Sequence, residues 1–353
     1  MSFLYFEDNE LSDMYEAINK LQICFHPTYA PEGQFTVHGT FGMKAEDKDI
    51  TVIADKNFVS PICEIARTGT LKDNYRLQKV ALFVTWTKYL NARLTCGIGL
   101  LENDTSGLST ATGEENRLQF LHGVDKIPAI IWKDIAFGYR DYVPELFLFK
   151  GSVVESKEYK FDDNLLLLCN EAAMVKMAQL IRTPNMQPIE KFISFMNWYA
   201  DNLDIAESIM VYVAMVFANI PNVSPPKKIQ SNKFEQVVKG LKNQSWDITY
   251  ITAWSMQYYN EANHSCCMFA TDDNTQKIIV INVIPPGECG RAINAIFQTK
   301  SQREKLKEFW EAKLGAARVR PFGDLTIGNK VEVVKKLLCC EYNSLERMCS
   351  EEQ

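Results

Sequence analysis

Residues 163–220, DNLLLLCNEAAMVKMAQLIRTPNMQPIEKFISFMNWYADNLDIAESIMVYVAMVFANI, are the longest part of the chain too apolar to be anything but interior. Leu165 to Leu168 lead into Ala172, Ala173, Met174, Val175, Met177, Leu180 and Ile181, and Thr183-Pro184 breaks the run. After a short proline-containing link, Phe192, Ile193, Phe195, Met196, Trp198 and Tyr199 recur at helical spacing, and Ile209 to Ala218 is apolar all round. Three helices are expected, the last fully buried. A helix with no polar face needs partners on every side, so the sequence before and after this block must wrap it.

Towards the N-terminus, Leu11, Met14, Tyr15, Ile18 and Leu21 mark a helix, and Tyr75 to Leu94 marks another through Leu77, Val80, Ala81, Val84 and Tyr89. Phe35, Val37, Phe41 and Met43 alternate as a strand does, and Ile50 to Ala54 returns as a second, which gives a hairpin over Gln34 to Asp55. Glu102 to Asn116, rich in Ser, Thr, Gly and Asp, is expected to be a surface loop, either a flap or a projection towards a partner. Ile127 to Gly138 is apolar again. Leu146 to Phe149 and Val153 to Phe161 suggest a second hairpin, joined at Gly151-Ser152.

Towards the C-terminus, Asn222 to Ser231 has the composition of a hinge. Beyond it come a helix near Lys233 to Leu241, an aromatic stretch from Trp246 to Tyr259, and strands at Cys266 to Ala270 and Lys277 to Ile284. Helices at Gly290 to Leu314 and Val331 to Leu338 complete this part. The expected fold is mainly α with small β-hairpins, an α+β chain in two lobes, residues 1–222 and 223–353, around the buried helical core of 163–220.

At 353 residues, 46% hydrophobic and 23% charged, the composition is that of a globular protein with room for two or three domain-sized units. Met1 to Glu10 is short, aromatic and acidic, unlike a secretory leader, so a cytoplasmic setting is expected. The most apolar span, Ile209 to Ala218, falls short of the roughly 20 residues a bilayer requires, so no membrane partner is expected. Ten cysteines scattered without an export signal are expected to be reduced thiols. Cys266-Cys267 and Cys339-Cys340 lack the spacing that lets two thiolates face one metal, and the chain has only four histidines, so neither a metal nor a cofactor is expected.

The formal charge of −6 is unevenly placed. Residues 227–330 hold 15 basic side chains against 10 acidic, and the rest 23 against 34. A net-acidic protein with one cationic face can still meet a phosphate backbone. Lys300, Arg303 and Lys307 fall on one side of the long C-terminal helix, with Arg318 and Arg320 following; joined by Lys227, Lys228, Lys233 and Arg291, they are the candidate nucleic-acid contacts. Glu304, Glu308 and Glu311 share that helix, and internal ion pairs are the competing account of its charges.

Ile278 to Ile284 as a strand, the loop Pro285 to Gly290 and a helix opened by Arg291 would present backbone N–H groups at a helix N-terminus, which suits a phosphate. Cys289 in that loop is the candidate nucleophile if the chain is an enzyme. No phosphate-loop, nucleophile-elbow, metalloprotease or kinase motif occurs. Phe3, Leu4, Tyr5 and Phe6 have no evident place in their own lobe and are the candidate oligomerisation arm.

Two mostly helical lobes, a cationic segment, an aromatic arm and no catalytic signature fit a non-enzymatic subunit that self-assembles and binds single-stranded RNA independently of sequence, as nucleocapsid or capsid proteins do. Its setting would then be host cytoplasm or virion. An enzyme centred on Gly287 to Arg291 and a cytosolic scaffold protein are the alternatives.

Overall fold

The computed structural model describes residues 5–7, 9–35, 39, 42–43, 46–105, 110–151, 164–262, 264–283, 288–313 and 321–351. Among the described residues the chain is mainly helical with one small four-stranded sheet. Its contacts divide it into two compact units, 1–161 with 254–273 and 162–253 with 274–353, a different division from a single cut at residue 222. Among the described residues no helix is long and apolar enough to cross a membrane.

The first unit is built on the sheet. Strands β1 (Cys24–Phe25), β2 (Asp49–Ala54), β3 (Arg93–Thr95) and β4 (Ser265–Ala270) lie in the order β1-β4-β2-β3. β2 runs parallel to both β3 and β4, and β1 is antiparallel to β4. The hairpin expected over Gln34 to Asp55 does not form: Met43 is helical, and β2 instead pairs with a strand 216 residues further along the chain. The physical reason is in β2 itself. Val52, Ile53 and Ala54 are buried in succession, so both faces of the strand are covered, as in a parallel sheet flanked by helices.

Helices α1 (Glu10–Leu21), α2 (Lys56–Thr68), α3 (Asn74–Tyr89), α4 (Gly97–Thr105), α5 (Thr110–Asp125) and α6 (Ala129–Ala136) complete this unit. α2 is an element for which the sequence reading makes no provision. Its signal is nevertheless present, since Phe58, Ile62, Ile65 and Ala66 recur at helical spacing and are buried, and Asp55 caps its start. The Glu102 to Asn116 loop is largely absent: α4 ends at Thr105, α5 starts at Thr110, and residues 106–109 lie outside the described part. Of the second expected hairpin, Glu145–Phe147 is a 3-10 turn, and residues 152–161 lie outside the described part.

One buried ion pair closes this unit. Lys133 Nζ of α6 donates to Glu10 Oε2 of α1 at 2.7 Å, with both side chains almost fully buried. Burial alone would raise the Glu10 carboxyl; the Lys133 ammonium and the Glu7 amide outweigh it and hold the group below the usual carboxylate range. Lys133→Met is expected to destabilise the protein by about 3 kcal/mol at pH 7 in urea unfolding, because it strands a buried carboxylate. The loss should shrink towards pH 4 as Glu10 takes up a proton; an equal loss at both pH values would assign it to packing instead.

The second unit holds the expected core. α7 (Leu165–Arg182), α8 (Pro188–Asn202) and α9 (Glu207–Phe217) are the three helices of residues 163–220, and every residue of α9 from Ser208 to Phe217 is buried. Asn164 caps α7, and Pro188 opens α8 behind the capping pair Gln187 and Glu190. α10 (Phe234–Tyr259) is one helix where a helix and a mixed stretch are expected, and its part up to Ala253 belongs to this unit. α11 (Asn274–Val283), α12 (Glu288–Ile296), α13 (Lys300–Lys313) and α14 (Ile327–Glu351) follow, and α11 and α12 pack on α9. α14 lies along α7, where Gln179 Nε2 donates to Glu341 Oε2 at 2.8 Å and Tyr342 donates to Glu171 at 2.6 Å.

Two further expectations are corrected here. Lys277 to Val283 is helical rather than a strand, and Ile284 lies outside the described residues: Thr275, Gln276, Ile279, Val280 and Val283 are buried at a spacing of three and four, a helical period that the β-branched composition disguises. The Asn222 to Ser231 segment is no free hinge. Arg182 Nη2 donates to the carbonyls of Ile229 and Ser231 at 2.8 and 2.5 Å, Tyr212 donates to that of Ser224, and the Ile229 side chain is buried.

Candidate functional site

In open sheets with parallel strands, ligands bind outside the carboxyl ends of the strands, because that is where the following helices begin and point their positive ends. The register sets this edge in the first unit. Ala54 of β2 is level with Ala270 of β4, and Ile53 with Thr95 of β3, so Asp55, Thr271 and Cys96-Gly97 emerge side by side. α2 starts at Lys56 and α4 at Gly97. A Cβ built on Gly97 would meet nothing within 4 Å, so the α4 start has open space around it.

Four carboxylates belong to this edge. Asp55 is 1% exposed. Its Oδ1 accepts from the Asn57 amide at 2.7 Å, and its Oδ2 accepts from Asn57 Nδ2 at 3.1 Å and from the Thr271 hydroxyl at 2.5 Å. Burial pushes its carboxyl up to about 7, with the Asp273 charge adding to the rise, and these hydrogen bonds offset only part of it. The Asp273 amide in turn donates to the Thr271 hydroxyl at 3.0 Å. Asp272 pairs with Lys79 of α3, and Glu102 of α4 pairs with Lys56 at 3.1 Å. Among the described residues, no cationic side chain pairs with Asp55. A strand end thus places a carboxyl that ionises only near neutrality close to the Asp273 charge, on an edge that also carries the lysine-paired Asp272 and Glu102.

A second group, His26, Glu261 and Cys266, has one ligand-type atom from each residue within 4.8 Å of the others. It is unsuited to a metal. His26 Nδ1 accepts from the amides of Thr28 and Tyr29 at 3.1 and 3.2 Å, so the proton of the neutral ring is on Nε2, where it faces Glu261 Oε2 at 3.3 Å. Nε2 therefore has no lone pair to offer. Glu261 also accepts from the Cys267 amide, and the group ties the turn after β1 to the start of β4.

The residues singled out in the sequence lie elsewhere. Lys227, Lys228 and Lys233 are exposed on the turn and start that precede α10. Arg291 pairs with Glu288 at 2.5 Å, Lys300 with Glu304 at 4.0 Å and Lys307 with Glu311 at 3.7 Å, each within its own helix. Arg303 is exposed on α13, and Arg318 and Arg320 lie outside the described residues. Lys305 and Lys313 join α13 to α8 through Glu190 and Asp201. Phe3 and Leu4 lie outside the described residues, and Tyr5 is 73% exposed. Phe6 is packed within its own unit, edge-on to Tyr89 at 5.7 Å.

The strand, loop and helix expected around Gly287 to Arg291 are instead two helices, and Gly287 lies outside the described residues. Cys289 is 2% exposed and burial pushes its thiol up to about 12, the reverse of what a nucleophile needs. None of the ten cysteines is in a disulfide, and Cys339 and Cys340 are the exposed ones. A thiol reagent at neutral pH is expected to modify those two first and Cys289 among the last, as read by mass spectrometry of timed digests. Early labelling of Cys289 would reopen its case.

The acids of the strand edge were missed because Asp55, Glu102 and Asp272-Asp273 are distant in sequence and match no motif. The local signal is that β2 and β4 are each followed within two residues by an acid at a helix start, Asp55 before α2 and Asp272-Asp273 before α11. No protein-family model matches the chain, and neither a curated protein nor a solved structure matches it.

Proposed function

We propose that the carboxyl edge of β2, β3 and β4 binds a divalent cation and that the protein hydrolyses phosphodiester bonds there. The observation that carries this reading is Asp55, a buried carboxyl beside Asp273 that has no cationic partner among the described residues and a pKa of about 7. A divalent ion supplies the charge such a group lacks and displaces its proton. All-oxygen donors of this type suit Mg2+ or Mn2+, which keep several waters and take substrate phosphates as further ligands. The N-termini of α2 and α4 favour the same phosphate oxygens.

A divalent ion held there would supply a water activated for attack on phosphorus and positive charge for the departing oxygen. The water's proton is lost to solvent and the leaving oxygen takes one up, so one water yields a phosphomonoester and a hydroxyl. Asp55 and Asp273 are assigned to hold the ion. Lys56 and Lys79 neutralise Glu102 and Asp272, which lowers the negative charge that draws cations to the edge.

The test is a calorimetric titration of Mn2+ into the wild-type chain and Asp55→Asn at pH 8, alongside cleavage of a fluorescent oligonucleotide. Binding by the wild type with at least a tenfold loss in the variant supports the reading. Absence of both Mn2+ binding and cleavage in the wild type would discard it.

The reading as a non-enzymatic, self-assembling RNA-binding subunit is the second proposal. It rests on the charge of residues 227–330, part of which is spent on acids within the same helices.

A further inference from the structure

We infer that Tyr75 and Lys79 form a stacking platform for an unpaired nucleobase at the edge of this site, so that the substrate is a single-stranded nucleic acid. The inference rests on the cation-site reading and adds the substrate class to it. Tyr75 lies in the first turn of α3, and its backbone is fixed because the Asp73 carboxylate caps the helix, accepting from the Tyr75 and Arg76 amides at 3.0 and 3.3 Å. Its ring is nevertheless 62% exposed, and among the described residues it packs against no other aromatic ring. A ring this exposed contributes little to the core and keeps a face open to a ligand.

The neighbours of the ring say what it is placed beside. Lys79, one turn along, sets its ammonium 5.3 Å from the ring centroid and pairs with Asp272, next in the chain to Asp273 and to the Thr271 that holds Asp55. Tyr75, Lys79 and Asp272 thus form a chain from an exposed aromatic face to the carboxylates that would hold the ion. A phosphodiester at the ion has a nucleoside on each side, and the span of one lysine side chain separates the ring from the acids. An aromatic face offers stacking to any base, and Lys79, paired with Asp272, sets the ring beside the acids. In a duplex both faces of each base are already stacked, so only a single strand can use this surface.

The experiment is fluorescence anisotropy with a labelled single-stranded RNA of about 12 nucleotides, in Ca2+ in place of Mg2+ to keep an oxygen-seeking ion present. Tyr75→Ala is expected to weaken binding by about 5- to 100-fold, the range for one stacked base, and Tyr75→Phe by less than about twofold. An abasic strand of the same length should bind all three proteins alike. Wild-type affinity in Tyr75→Ala, or an equal loss on the abasic strand, would overturn the platform.

Mn2+ titration of the same proteins separates this result from the cation reading. If Mn2+ binds and cleavage proceeds while Tyr75→Ala loses nothing, the platform alone falls. If Mn2+ binds to none of them while Tyr75→Ala still loses the RNA, the platform stands and the cation reading falls.

Discussion

Asp55→Asn is expected to lower phosphodiester hydrolysis by about 10²- to 10³-fold while leaving the protein folded. The substitution is selective because Asn is as good a helix cap as Asp: its Oδ1 can still accept from the Asn57 amide. What it removes is the charge. If Asp55 only caps α2, the variant keeps full activity, and the cation reading fails.

Stability provides a second, independent readout of the same group. The Asp55 carboxyl lies at about 7 in the folded chain against an ordinary value of 3.8, so between those pH values the folded state binds a proton that the unfolded state does not. Stability therefore falls as pH rises through that window, by about 1.4 kcal/mol per unit while the proton difference is complete. In the presence of EDTA, Asp55→Asn is expected to lack this fall and to be the more stable protein at pH 8. Millimolar Mn2+ should restore the wild type and leave the variant unchanged. A wild-type stability that does not decline between pH 4 and 8 in EDTA would show that Asp55 is better solvated than its burial implies.

Gly240→Ala should produce the largest loss of stability. Gly240 is buried in α10, and a Cβ at this position would lie 1.8 Å from the Lys227 carbonyl oxygen and 2.9 Å from its carbon. No flexible side chain is there to move aside, since both obstacles are backbone. The turn that carries them is held by the two hydrogen bonds from Arg182 and by buried Ile229, with Lys228 at a φ of +62°. Alanine would gain about 1 kcal/mol in helix propensity, but the enforced separation of turn and helix should cost about 3 kcal/mol or more. Urea unfolding followed by circular dichroism should show the midpoint falling with the slope nearly unchanged. A midpoint at or above that of the wild type would mean that the turn swings away freely and that the segment is the hinge its composition suggests.

Helices whose burial is written locally are legible in the residues alone. Residues 209–218 are apolar in every direction, so α9 had to be enclosed whatever surrounds it. Leu11, Met14 and Ile18 in α1, and Leu77, Val80, Ala81 and Val84 in α3, show one apolar face through spacing alone, and β2 and β4 stand out by composition. Where a short apolar run fits two periods the reading went astray, as at Ile278 to Val283, because β-branched residues favour a strand until packing selects the helix. How the strands pair is settled by packing across the whole unit. Nothing near Ile50 to Ala54 specifies that its partner is Cys266 to Ala270 rather than a neighbour in a hairpin; the choice comes from covering both faces of β2 at once. The candidate site depends on that choice. Asp55 and Thr271 are 216 residues apart in the chain, and it is the parallel register of β2 with β4 that brings the hydroxyl of one to the carboxylate of the other and gives Asp55 its burial and its raised pKa.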